Sequence, residues 1–278
     1  MRSSGAALVG AAVVVFAAGQ SPRPSFEAAS IKANKSSTPL VRLSTPTGRL
    51  SGLNVTLALL IRNAYQLPEF RVVGGPAWID VDRFDVEATA GAAVSADQIR
   101  AMTRTLLEDR FHLKAHMETR ELPIYVLSFA RRDAKLGDQI KPSGVECRPV
   151  TPPPGAPPAP PPPPGPAPTG VQQCPSMLTP GHISFRKLTI ARFAGALSIF
   201  VSRDIVDKTN LSGEFDLDLH WLPDQMPSPS SFRLLSPIDS TAPPLFTAIQ
   251  EQLGLKLEPS RGPVEVLVID GVEKPIED

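Results

Sequence analysis

Apolar residues return at helical spacing along this chain, each time behind a residue suited to start a helix. After Thr56, the positions Leu57, Leu60, Ile61, Ala64 and Tyr65 fall at i, i+3, i+4, i+7 and i+8. That spacing puts them on one buried face, with Thr56 as N-cap. Ile99, Met102, Leu106 and Leu107 give a second apolar face ahead of Phe111, and Ser95 with Gln98 supplies a capping box. Between the helices the period shortens to two. Strands are expected over Phe26 to Ile31, Phe70 to Val73 and Arg83 to Thr89, with Gly74-Gly75-Pro76 as a turn and Lys32 to Thr47 as a loop or short hairpin. Leu113 to Glu118 and Ile124 to Phe129 read as two further strands, with Pro123 at their junction, where its missing donor is tolerated.

The series then comes back. Gly181-His182-Ile183-Ser184 leads to Thr189 and to Ile190, Phe193, Ala194, Leu197 and Ser198, each 133 residues after its counterpart between Gly48 and Tyr65. Phe215-Asp216-Leu217 answers Phe84-Asp85-Val86 at 131, Leu253, Leu255 and Lys256 answer Phe111, Leu113 and Lys114 at 142, and Pro263 and Val266 answer Pro123 and Val126 at 140. Kept order with small changes of offset is the mark of a duplicated unit with loop insertions. The expected fold is α+β: two pseudo-repeats, each a mixed or antiparallel sheet with two helices, in ferredoxin-like βαββαβ order plus an extra strand. Such repeats are expected to share one strand order. Leu222 to Pro243 stands out as a Pro/Ser-rich insertion that the first repeat lacks.

Twelve of the twenty residues from Thr151 to Gly170 are proline, a polyproline-II-like stretch that excludes helix and ladder strand. It lies between Cys147 and Cys174, the two cysteines of the chain, which are expected to form a disulfide closing the loop. Ahead of everything, Met1-Arg2 and the apolar run Ala6 to Ala18 form an expected secretory signal peptide cut near Gly19. That run is about 13 residues, short of the roughly 20 a membrane span needs. The expected organisation is therefore a signal peptide over 1–19, a first repeat over 20–146, the disulfide-closed loop over 147–174 and a second repeat over 175–278. The mature chain is placed in the periplasm or outside the cell, with no transmembrane segment. Balanced charge, 28 basic against 28 acidic residues, argues against a nucleic-acid partner.

Few residues suggest chemistry. His112 and His116 stand at i, i+4, but Leu113 and Ala115 alternate with them as in a half-exposed strand, so a metal site is not expected there. The cysteines have no further thiol or histidine at zinc-finger spacing. Asp207-Lys208-Thr209 resembles the phosphorylated aspartate motif of ion-pumping ATPases only over those three residues, and is expected to shape a turn. No P-loop, G-x-G-x-x-G or G-x-S-x-G is present, so no catalytic, metal or cofactor residue is assigned. Trp78 and Trp221, beside Gly/Pro turns, are the candidate interaction residues, against the alternative of core or rim packing.

Phe26-Glu27-Ala28-Ala29-Ser30-Ile31-Lys32, Gly75-Pro76-Ala77-Trp78, Arg83-Phe84-Asp85, Leu106-Leu107 to Arg110-Phe111, Glu118 to Leu122, Val206-Asp207-Lys208-Thr209 and Glu251 to Leu257 resemble, in order, a soil-associated family of exported bacterial proteins of uncharacterised function. Asn210 takes the place of the glycine usual after the Asp-Lys-Thr. Relatives of this kind also resemble the extracytoplasmic part of some membrane zinc-peptidase antirepressors, which implies a sensing or interaction module. The expected function is a non-enzymatic binding protein without cofactor, for an envelope protein or a small ligand. The alternatives are an extracytoplasmic hydrolase with an unrecognised site and a module that docks through a sheet edge.

Overall fold

A computed structural model describes residues 23–36, 40–144, 176–224 and 240–275. The signal peptide, the proline run with Cys147 and Cys174, and most of the Leu222 to Pro243 insertion lie outside the described residues. The chain is α+β, and its described residues form three four-stranded sheets. β1 (Ala28–Ala33), β2 (Arg42–Ser44), β3 (Arg49–Thr56) and β5 (Arg83–Thr89) form the first outer sheet in the order β1-β5-β3-β2. β7 (Ile140–Pro142), β8 (Met177–Thr179), β9 (His182–Leu188) and β11 (Phe215–His220) form the second in the order β7-β11-β9-β8. Both outer sheets are antiparallel throughout, and their strands follow the same order counted along each half.

The third sheet lies between them and belongs to both halves. β6 (Lys114–Phe129) and β12 (Leu255–Gly271) are long antiparallel partners, flanked by β10 (Ile205–Asp207) and β4 (Val72–Gly74) in the order β10-β6-β12-β4. The short strands cross over: β4, from the first half, runs parallel to β12 of the second, and β10, from the second half, runs parallel to β6 of the first. The expectation of one sheet per half thus gives way to an outer sheet per half and a shared central sheet. β6 is also one strand where two were expected. Pro123 sits inside it because Tyr125, two residues on, donates to Asp204 O on the β10 side, and at Pro123 that side has no neighbour yet.

Local signals place the helices. Thr56 Oγ1 accepts from Leu59 N to open α1 (Leu57–Tyr65), and Thr189 Oγ1 accepts from Arg192 N to open α4 (Ile190–Val201). The short helix α2 (Trp78–Val81) follows β4. Ser95 and Gln98 close the capping box of α3 (Ala96–Phe111), and α5 (Leu245–Leu253) precedes β12. α1, α3, α4 and α5 all stop at a left-handed residue, Gln66, His112, Ser202 and Gly254, which turns the chain into the next strand.

Two large apolar cores result among the described residues, with a small third cluster of Ile124, Val264 and Val266 on the central sheet. The first gathers Leu57, Leu60, Ile61, Val86, Leu107 and Phe111 with Leu267 and Ile269 from the far end of β12. The second gathers Phe193, Leu197, Leu217, Leu219, Ile249 and Leu253 with Leu127 from the far end of β6. Each long strand therefore starts in one core and ends in the other. Among the described residues, no helix is long and apolar enough to cross a membrane.

Candidate functional site: the cleft between α1 and α4

An open cleft of about 1060 Å³ lies between α1 with the turn after it and α4 with β10. α1 turns Leu59, Arg62 and Asn63 toward it, because its periodic face, Leu57, Leu60, Ile61 and Ala64, is spent on the core. α4 contributes Gly195 and Ile199 for the same reason, with Phe193, Ala194 and Leu197 buried behind them. Ile199 is 56% exposed, an apolar side chain left in the wall of the cleft. Gly195 lies inside a helix, where glycine costs about 0.5–1 kcal/mol against alanine. A Cβ built there meets nothing within 4 Å, so packing within the chain does not call for a glycine.

Charges on the lining are neutralised in pairs. Arg71 Nε donates to both oxygens of Asp204 at 3.0 Å, with Nη2 on Oδ1 as well, a forked pair that ties the turn after α1 to the end of α4. Arg62 Nη1 pairs with Glu69, while Arg62 Nε is buried with no acceptor. Such an atom forfeits about 1–3 kcal/mol unless something supplies an oxygen. Tyr65, the last residue of α1, has its phenol pKa raised above 10.0 by burial and by the Glu108 charge, partly offset by Arg104, which lies 5.5 Å from the ring centroid. On β6, a hydrogen bond from Arg120 holds the Glu118 carboxyl below its usual range.

A second group lies on the outer face of β9 and β11. His182 and His220 are ladder partners whose rings stack with centroids 3.9 Å apart, and Asp218 is on the same face two residues before His220. His182 Nε2 and His220 Nε2 lie 2.9 and 2.8 Å from the same oxygen, Asp218 Oδ1. Sequence reading missed this group. His182 and Asp218 are far apart along the chain, and the H-x-D spacing within β11 carries no meaning until pairing with β9 is known. His112 and His116 are not brought together as ligands: His112 caps α3, and His116 Nδ1 lies 2.8 Å from Asp270 on β12.

The other candidates are placed as follows. Trp78 is half-buried against the first core, with Lys274 Nζ 5.6 Å from its ring centroid. Trp221 is only 3% exposed, packed edge-on against Phe200 in the second core, so its ring offers no contact surface: the chain beyond β11 folds inward there. Asp207 Oδ1 accepts from Thr209 N and Thr209 Oγ1 at 2.8 Å each, an Asx turn completed by Asn210 at φ 56°. The Asp-Lys-Thr motif is thus held as a turn, and Asn210 takes the left-handed conformation that a glycine would supply.

The chain belongs to a family described as a protein of unknown function (DUF3738), which matches residues 58–272. No curated protein and no solved structure matches it.

Proposed function

We propose that the protein is an exported, non-enzymatic binding module, built by internal duplication, that takes an extended peptide segment of an envelope partner into the cleft between α1 and α4. Gly195 is the observation that carries this reading. A helix-interior glycine with open space where its Cβ would be keeps the cleft wall low for an incoming chain, which the interior of the protein does not require. Asn63 and Gln66 line the cleft with side-chain amides, and a peptide backbone brings carbonyl oxygens and N–H groups to meet them. Ile199 and Leu59 give apolar contact in a cleft that is open to solvent.

Hydrolysis finds less support in this cleft, because both of its carboxylates, Glu69 and Asp204, are engaged by arginines. Edge docking has one candidate, the six-residue β1 at the end of the first outer sheet; the other edge strands, β2, β4, β7, β8 and β10, are three residues each, too short to template a partner strand. Placement outside the cytoplasm, a sensing role like that of antirepressor ectodomains, and the disulfide between Cys147 and Cys174 remain parts of the proposal that rest on the sequence.

The test is peptide selection against the mature chain and against Gly195→Leu. The expected result is enrichment of extended peptides by the parent chain, at least tenfold weaker binding by the variant, and a variant melting temperature equal to or above the parent's. No enrichment, or equal binding by the variant, would overturn the reading.

A further inference from the structure

We propose that His182, Asp218 and His220 form a binding site for a divalent first-row transition metal, with Cu²⁺ and Ni²⁺ the preferred ions. Two imidazoles and a carboxylate are borderline-soft and hard donors together, a set suited to Cu, Ni, Zn and Co and poorly suited to Ca or Mg. Their donor atoms all lie within 4.8 Å of one another. The backbone holds them there: β9 and β11 are paired antiparallel, His182 is opposite His220, and the two-residue period brings Asp218 to the same face.

Donor chemistry indicates the ion. The imidazole nitrogens lie 2.9 and 2.8 Å from Asp218 Oδ1, hydrogen-bond distances that a bound ion would replace with metal–donor bonds. Among divalent first-row ions, affinity for nitrogen donors rises through Ni²⁺ to Cu²⁺. Binding is balanced in protons: each imidazole contributes the Nε2 lone pair as its neutral Nδ1–H tautomer, and any proton on Nε2 leaves to solvent.

The shell behind the ligands is also ordered. Gln252 grips the backbone of His220 from both sides, its Oε1 accepting from His220 N at 3.0 Å and its Nε2 donating to His220 O at 2.7 Å. Thr179 Oγ1 donates to His182 O at 3.3 Å. The His182 side chain is 19% exposed and that of His220 52%, so the site is anchored on one side and open to water or another ligand on the other. The matching positions of the first outer sheet, Arg49, Glu87 and Thr89, cannot form such a site, so the inference applies to the second half alone.

The experiment is titration of the untagged protein with CuCl₂ and with NiCl₂ by calorimetry, with electron paramagnetic resonance of the Cu²⁺ form. One Cu²⁺ per chain is expected, with two equatorial imidazole nitrogens, weakened at least tenfold in His182→Gln and in His220→Gln and unchanged in His116→Gln. No binding, equal binding in His182→Gln, or loss of binding in His116→Gln would overturn the proposal. The spectrum of the parent protein decides independently of how any variant folds: sulfur ligands, or fewer than two imidazole nitrogens, would also overturn it.

Discussion

In the first outer sheet Arg49 faces Thr89 and Ser51 faces Glu87 across β3 and β5; at the corresponding rungs of the second, His182 faces His220 and Ser184 faces Asp218. The rungs match, yet the outward side chains differ. Where the backbone needs a particular residue, the halves agree. Each ladder is interrupted between its rungs, at Gly52/Val55 in one and at Phe215/Leu217 in the other, and each carries a non-glycine residue at positive φ, Asn54 at 55° and Lys187 at 58°. In each, the amide of that residue donates to an aspartate on the neighbouring strand, Asn54 N to Asp85 Oδ1 at 2.9 Å and Lys187 N to Asp216 Oδ1 at 3.1 Å. The aspartates therefore maintain the fold in both halves, whereas the outward positions of β9 and β11 are free to take on chemistry.

The largest expected effect comes from breaking that shared device. Asp85→Ala and Asp216→Ala each remove the acceptor of a strained strand's amide, and each is expected to cost about 2–3 kcal/mol in urea unfolding. A loss in one half with no effect in the other would show that the aspartates do different jobs. A smaller effect is expected at Arg71 and Asp204, which occupy matching positions 133 residues apart and pair with each other across the cleft. Arg71→Asp sets two carboxylates face to face and is expected to cost about 1–2 kcal/mol, of which Asp204→Arg in the same chain restores most. A double variant no more stable than the single one would mean that the pair does not join the halves.

Much of this frame could be read from single residues. Thr56, Thr189 and the Ser95–Gln98 box marked the helix starts, because caps act within one turn. The apolar positions expected for α4, Ile190 to Ser198, are its buried ones. What could not be read was non-local. Exchange of β4 and β10 between halves depends on pairing over long separations, and three-residue strands such as Ile140–Pro142 and Met177–Thr179 are too short to show a period. Pro123 suggested a strand start because the sequence does not show which side of a strand has a neighbour. Trp221 suggested an interaction residue because its burial depends on Phe200, from a different element. The grouping of His182, Asp218 and His220 was hidden for the same reason.

The shared central sheet is the central claim, and native-state hydrogen exchange tests it most directly. With β6 and β12 each entering both cores, neither half can open without stripping the other of a strand. The slowest amides of α1, α4, β6 and β12 are therefore expected to exchange with one common free energy, equal within about 1 kcal/mol to that of global unfolding. Exchange of one half's core amides at several kcal/mol below the other's would contradict the claim, since it would mean that the halves fold as separate units.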